Sequence, residues 1–178
     1  MNATRFLLAA MVLGTAIGVE ANAQCSGNAG SCNTTNTASV SVNALVKLGM
    51  SATTTALTAP TADDIDAGAV IQNSGPSFTI KANRSWTLNI KTTNATIWTY
   101  AGAFAGTKPI SDLTWSNAAA GTYANIGTSD AVFLSGAGAT NGAAAQAFFR
   151  TVWAAGFAQP SNVPGSYSLP VVFTLSAP

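Results

Sequence analysis

The amino-acid sequence predicts an all-β sandwich, and three observations predict it. Short runs alternate apolar residues with small or polar ones, the pattern of a strand with one buried face. Turns rich in Gly, Pro and Asn separate these runs at intervals of about ten residues, the rhythm of a sandwich. No window places large apolar residues at helical spacing; residues 143–149 offer a helical turn at most.

In chain order, residues 1–23 read as a secretory signal peptide. Arg5 supplies the basic start, Phe6 to Val19 the apolar run, and Ala21-Asn22-Ala23 the small residues before cleavage ahead of Gln24. The apolar run is shorter than the roughly 20 residues of a membrane span, and Glu20 closes it. Export is therefore expected, with no membrane span in residues 24–178. Residues 24–37 read as a flexible mature N-terminus, and residues 38–178 as a single domain. Cys25 and Cys32 are the only cysteines, and the small residues Ser26 to Ser31 between them can close a local disulfide. An intermolecular bond is the alternative. Metal binding is not expected there, because the chain has no histidine and no further cysteine to complete a site.

The longest alternation is Val40, Val42, Ala44, Val46, Leu48 and Met50. Phe78, Ile80 and Ala82 follow, then Trp86, Leu88 and Ile90 after the turn Asn83-Arg84-Ser85. Shorter strands are expected near 97–100, 112–115, 131–134 and 148–153. The Gly/Ala-rich stretch 136–145 reads as a mobile loop. The last strand carries Tyr167, Leu169, Val171, Phe173 and Leu175, with Pro170 in the opposite phase. Proline cannot donate to a ladder, so this strand is expected at a sheet edge. An edge and a terminal alternating segment are the two parts that strand addition between subunits needs. The plainer alternative is that residues 38–50 form the first strand of their own sandwich.

The order of these segments resembles secreted Ig-like β-sandwich proteins of the chaperone–usher pilin and spore-coat-U type. The residues that carry the resemblance are the strand Val40 to Met50, a Thr/Ala-rich strand Thr53 to Ala59, and Ile65-Asp66-Ala67-Gly68-Ala69-Val70. The strand pair around Trp86 and the ending Pro164-Gly165-Ser166-Tyr167 to Leu175 complete it. Ala67 stands where that family often has phenylalanine. The resemblance implies an Ig-like antiparallel β-sandwich and a cell-surface or extracellular fibre subunit, joined to its own copies by donated strands. It also implies delivery through the periplasm by a chaperone and an outer-membrane usher.

Composition narrows function further. Only 7% of residues are charged, against about 25% in an ordinary domain. With a formal net charge of +1 there is no basic surface for phosphates, so nucleic acid is not an expected partner. Without histidine no Ser-His-Asp triad can form, and no pair of carboxylates is marked as catalytic. A non-enzymatic protein without cofactor is expected. Asp63, Asp64 and Asp66 form an acidic cluster read as a solvated turn after Pro60; calcium is the alternative role. Near-neutral, low-charge surfaces favour association, which fits a polymer or coat. The alternative function is a secreted carbohydrate-binding module. Trp98, Tyr100 and Trp115 would be its exposed aromatics, with Trp86 and Trp153 buried.

Overall fold

The computed structural model describes residues 30–178, of which Val42–Pro178 form one compact unit. The signal peptide and Cys25 lie outside the described residues. Residues 30–41 are exposed and carry no strand or helix. The compact unit is an all-β antiparallel sandwich, as the sequence predicts.

Its strands are β1 (Val46–Met50), β2 (Val70–Ala82), β3 (Trp86–Thr92), β4 (Thr99–Ala101), β5 (Leu113–Ser116), β6 (Ala124–Asn125), β7 (Ala131–Gly136), β8 (Thr140–Val152), β9 (Ser166–Ser168) and β10 (Val171–Ser176). One sheet has the order β1-β2-β8-β5-β6, and the facing sheet the order β10-β3-β7. A small pair, β4-β9, stands apart from both.

Alternation decides which face each long strand buries. On β3, Trp86, Leu88, Ile90 and Thr92 point inward and are buried, with half-buried residues between them. On β2, Phe78, Ile80 and Ala82 do the same from the other sheet. Each fully buried aliphatic side chain contributes about 1.5–3 kcal/mol relative to exposure. The layers meet at aromatic contacts. Phe78 of β2 lies 4.5 Å from Phe173 of β10 and 5.6 Å from Phe133 of β7, ring centre to ring centre.

Three expectations change. Residues 136–145 are not a loop, because β8 begins at Thr140. Ala143, Ala144 and Ala145 pair with Ile80, Thr79 and Phe78. The alanines thus meet bulky partners in the ladder, where a small side chain suits the pairing although its propensity is poor. The acidic cluster is not a turn but a short helix, α1 (Ala62–Ala67). The Thr61 hydroxyl accepts from the Asp64 amide, and the Asp64 carboxylate accepts from the Thr61 amide, a reciprocal capping box. Gly68 closes the helix at φ 71°, the left-handed conformation that glycine adopts without penalty. Finally, Thr53–Ala59 is not a strand. Its ends are tied down instead: the Ser51 amide donates to the Ser77 carbonyl (2.9 Å), and the Thr58 amide to Asn73 Oδ1 (2.8 Å).

β2 carries a bulge. Pairing with β8 skips from Ser74 to Ser77, leaving Gly75 and Pro76 outside the register. Pro76 has no amide to lose there. A Cβ on Gly75 would lie 2.5 Å from the Phe149 ring, so the bulge needs glycine. Gly75→Ala is expected to destabilise the domain by about 1–3 kcal/mol through overpacking, measured by urea unfolding. A change below about 0.5 kcal/mol would show that Phe149 yields freely.

Candidate functional site

One edge of the sandwich is thinly covered. β1 and β10 are edge strands of the facing sheets and lie against each other. On β3 the inward residues Leu88 and Ile90 are 0% and 1% exposed. Their ladder partners on β10, Leu175 and Phe173, are only half-buried.

A groove of about 630 Å³ lies beside Val171 and Phe173 of β10. One wall is the chain from Met50 to Leu57, and the other runs from Tyr167 to Phe173; Leu113 and Phe149 contribute from the core. The first wall has no ladder of its own because residues 52–57 only bridge the two anchors at Ser51 and Thr58. The second wall is interrupted at Leu169-Pro170, between β9 and β10. Neither wall contains a charged residue.

Preceding β1, the segment 38–45 is exposed, and its apolar residues are not covered: Val40 is 89% and Val42 73% exposed. Its junction with β1 is held by Asn83, just past the end of β2. Asn83 Oδ1 accepts from the Leu45 amide and Nδ2 donates to the Asn43 carbonyl, both at 2.8 Å. A side-chain amide here imitates one more residue of ladder.

These positions can be set beside the sequence-predicted residues. Val46, Leu48 and Met50 lie in β1, paired with Ala82, Ile80 and Phe78 of the same chain. Val40, Val42 and Ala44 lie before the strand and are exposed. Tyr167, Leu169, Val171 and Phe173 come together along one groove wall, while Leu175 lies further along β10. The aromatic expectation is corrected. Trp98 and Trp115 are 4% and 8% exposed, so neither ring is a surface platform. Trp98 is held by its indole N–H donating to the Pro109 carbonyl, and Trp115 packs 5.7 Å from Phe133. Tyr100 is half-buried, stacked on Tyr167 and donating to the Pro164 carbonyl. Trp153, expected in the core, is only half-buried. Cys32 is not a free thiol. Asp64 is engaged in the helix cap, where the Thr61 donors hold its carboxyl below the usual carboxylate range. Among the described residues, no group of three or more His, Cys, Asp or Glu converges on a metal position.

Beside the groove, sharing Leu57, Trp98 and Tyr167 with it, is a second cavity of about 280 Å³. Sequence reasoning missed it, because its central residue is a buried lysine with no motif around it. Lys108 is 1% exposed. Its ammonium donates to Asp112 Oδ2 at 3.0 Å and to the Val152 carbonyl at 2.6 Å, and lies 3.9 Å from the Trp153 ring centre. Burial lowers its pKa, and the nearby Asp112 carboxylate opposes that shift. The Tyr167 hydroxyl is pushed up, mainly by burial.

No family model matches the chain, and no curated protein matches it. Among the described residues, no helix is long and apolar enough to cross a membrane.

Two outcomes test the buried pair. Asp112→Ala leaves the Lys108 charge without its counter-ion and is expected to cost about 3 kcal/mol in urea unfolding. Lys108→Met, which keeps the stem and drops the charge, is expected to stay within about 1 kcal/mol of wild type. The pH dependence separates them further. With a lowered folded pKa, the unfolded chain holds the Lys108 proton more tightly. Stability should therefore rise as pH climbs toward the ordinary lysine value of 10.5. This rise is expected to be missing in Lys108→Met.

Proposed function

We propose that the chain is a secreted, non-enzymatic structural subunit that assembles with its own copies by strand addition, giving a cell-surface or extracellular fibre or coat. The observation that carries the reading is the largely apolar, uncharged groove between residues 50–57 and 167–173. One subunit places its residues 38–42 between residues 50–57 and 167–173 of the next. Val40 and Val42 then cover part of the half-buried Leu169, Val171 and Phe173, and the backbone of the incoming segment pairs along the free edge of β10.

Three further features support it. At about 3.3 Å per residue, residues 38–42 fit within the length of the wall 167–173. The incoming segment and both walls are free of charge, so no ion loses its water on docking. The Asn83 clamp defines where the subunit's own ladder ends, which leaves residues before Asn43 available to a neighbour. β1 itself belongs to its own sandwich, so the donated part is confined to residues ahead of it. Delivery by a periplasmic chaperone and an outer-membrane usher rests on the family resemblance alone.

Val42→Asp tests the reading with little risk to the fold, because Val42 is exposed in the single subunit. Its unfolding free energy is expected to stay within about 0.5 kcal/mol of wild type, while filaments or ordered oligomers seen by negative-stain electron microscopy disappear, since a carboxylate would be buried unpaired in the groove. A synthetic peptide of residues 37–45 should raise the Tm of the purified protein, as any ligand of the native state does. The Val171→Asp variant should not respond. Filaments of Val42→Asp like those of wild type, or a peptide without effect on the wild-type Tm, would sink the strand-addition reading.

A further inference from the structure

The chain has few charges, and the fold sorts them. Lys91 pairs with Asp130 and Lys108 with Asp112, each at 3.0 Å. Arg150 is engaged by Gln72 and lies over the Tyr123 ring. Among the described residues, Lys47, Lys81 and Arg84 remain as cations without a carboxylate in ion-pair distance. All of them are exposed, and the ladder brings them to one end of the sandwich. Lys47 of β1 stands directly opposite Lys81 of β2, and Arg84 follows in the turn between β2 and β3. Like charges facing each other across a ladder repel, so this end carries positive charge that the subunit itself does not offset.

The carboxylates left without a cation are Asp63, Asp64 and Asp66, all on α1. This helix leads through Gly68 into the start of β2, whereas Lys81 stands near the end of that strand. It is tied to the chain beyond β8, where the Gly156 amide donates to the Ile65 carbonyl. Nearly the whole of β2 therefore separates the two groups, roughly 35 Å by strand rise. The Debye length in 0.1 M salt is about 10 Å, so the two ends do not compensate each other within one chain. A net charge near zero conceals a basic pole and an acidic pole.

The poles fall at the two places that strand addition uses. Residues 38–42 run into the body at the Asn83 clamp, next to Arg84 and the first residues of β1. The groove wall 50–57 continues through Thr58–Thr61 into α1. We infer that the basic pole of one subunit docks on α1 of the next, with Lys47, Lys81 and Arg84 facing Asp63 and Asp66. The geometry of this contact rests on the strand-addition reading. Exposed ion pairs stabilise little by themselves; complementary charge instead orients the partners and speeds their encounter. The pole contact thus gives the fibre a direction. Copies join head to tail, and like poles repel.

The test uses two charge-reversed chains and follows assembly by light scattering at low salt. Lys47→Glu/Lys81→Glu/Arg84→Glu makes both poles acidic. Asp63→Lys/Asp66→Lys makes both basic and leaves Asp64 in its cap. Each variant alone is expected to assemble at least about tenfold more slowly than wild type. An equimolar mixture is expected to recover the rate, because every basic pole then meets an acidic one. Wild-type assembly should slow similarly between about 0.02 M and about 0.5 M salt, as the Debye length shortens. The uncharged peptide of residues 37–45 reads the groove separately. Its rise in Tm should be the same in both variants as in wild type, which also shows that both are folded. A peptide without effect on wild type counts against strand addition, not against the poles. Either variant assembling alone at the wild-type rate, a mixture no faster than its components, or a wild type that stays monomeric at low salt would overturn the pole contact. Wild-type binding to phosphatidylglycerol vesicles that the first variant loses, without rescue by mixing, would overturn it too and assign the basic pole to an anionic surface.

Discussion

The structure depends on the aromatic contact that joins its two layers. Phe78 stands on β2, and Phe133 and Phe173 stand on the two outer strands of the facing sheet. Through these three rings the outer strands β7 and β10 are held against β2, with Trp115 packed against Phe133 from β5. Aromatic pairs at such separations add about 0.5–1.5 kcal/mol each beyond the area they bury. The same cluster defines where the core stops. Phe173, on the edge strand β10, is the ring of this cluster that remains only half-buried.

The composition bears on the same edge. A domain with so few charges has little to keep copies apart. An edge strand is ordinarily blunted by charge, by proline or by a bulge. Here Pro170 interrupts the second wall, and the bulge at Gly75-Pro76 lies behind the first. The exposed edge is thus interrupted.

The lysine site follows a different logic from the core around it. Lys108 is desolvated, paired with Asp112, and packed against Trp153. Such a pair stabilises little by itself, since the cost of removing two ions from water offsets most of their attraction. What it does is tie the Lys108–Asp112 segment to the Val152 carbonyl and the Trp153 ring.

The sequence by itself determined the fold class and the strands with clean alternation. Val46 to Met50, Phe78 to Ala82, Trp86 to Ile90 and Val171 to Leu175 declare their buried faces because a side-chain period of two is a local property. The capping box of α1 was also present in Thr61-Ala62-Asp63-Asp64, although the acidic cluster drew attention to charge instead. Tertiary structure decided the rest. Residues 140–147 are a strand because β2 pairs with them, and Thr53–Ala59 finds no such partner in the fold. Trp98, Trp115 and Lys108 are buried by segments distant in the chain, which no local pattern encodes. The groove and the cavity exist for the same reason: each is the space left between residues distant in the chain, and only the folded packing determines that it stays open.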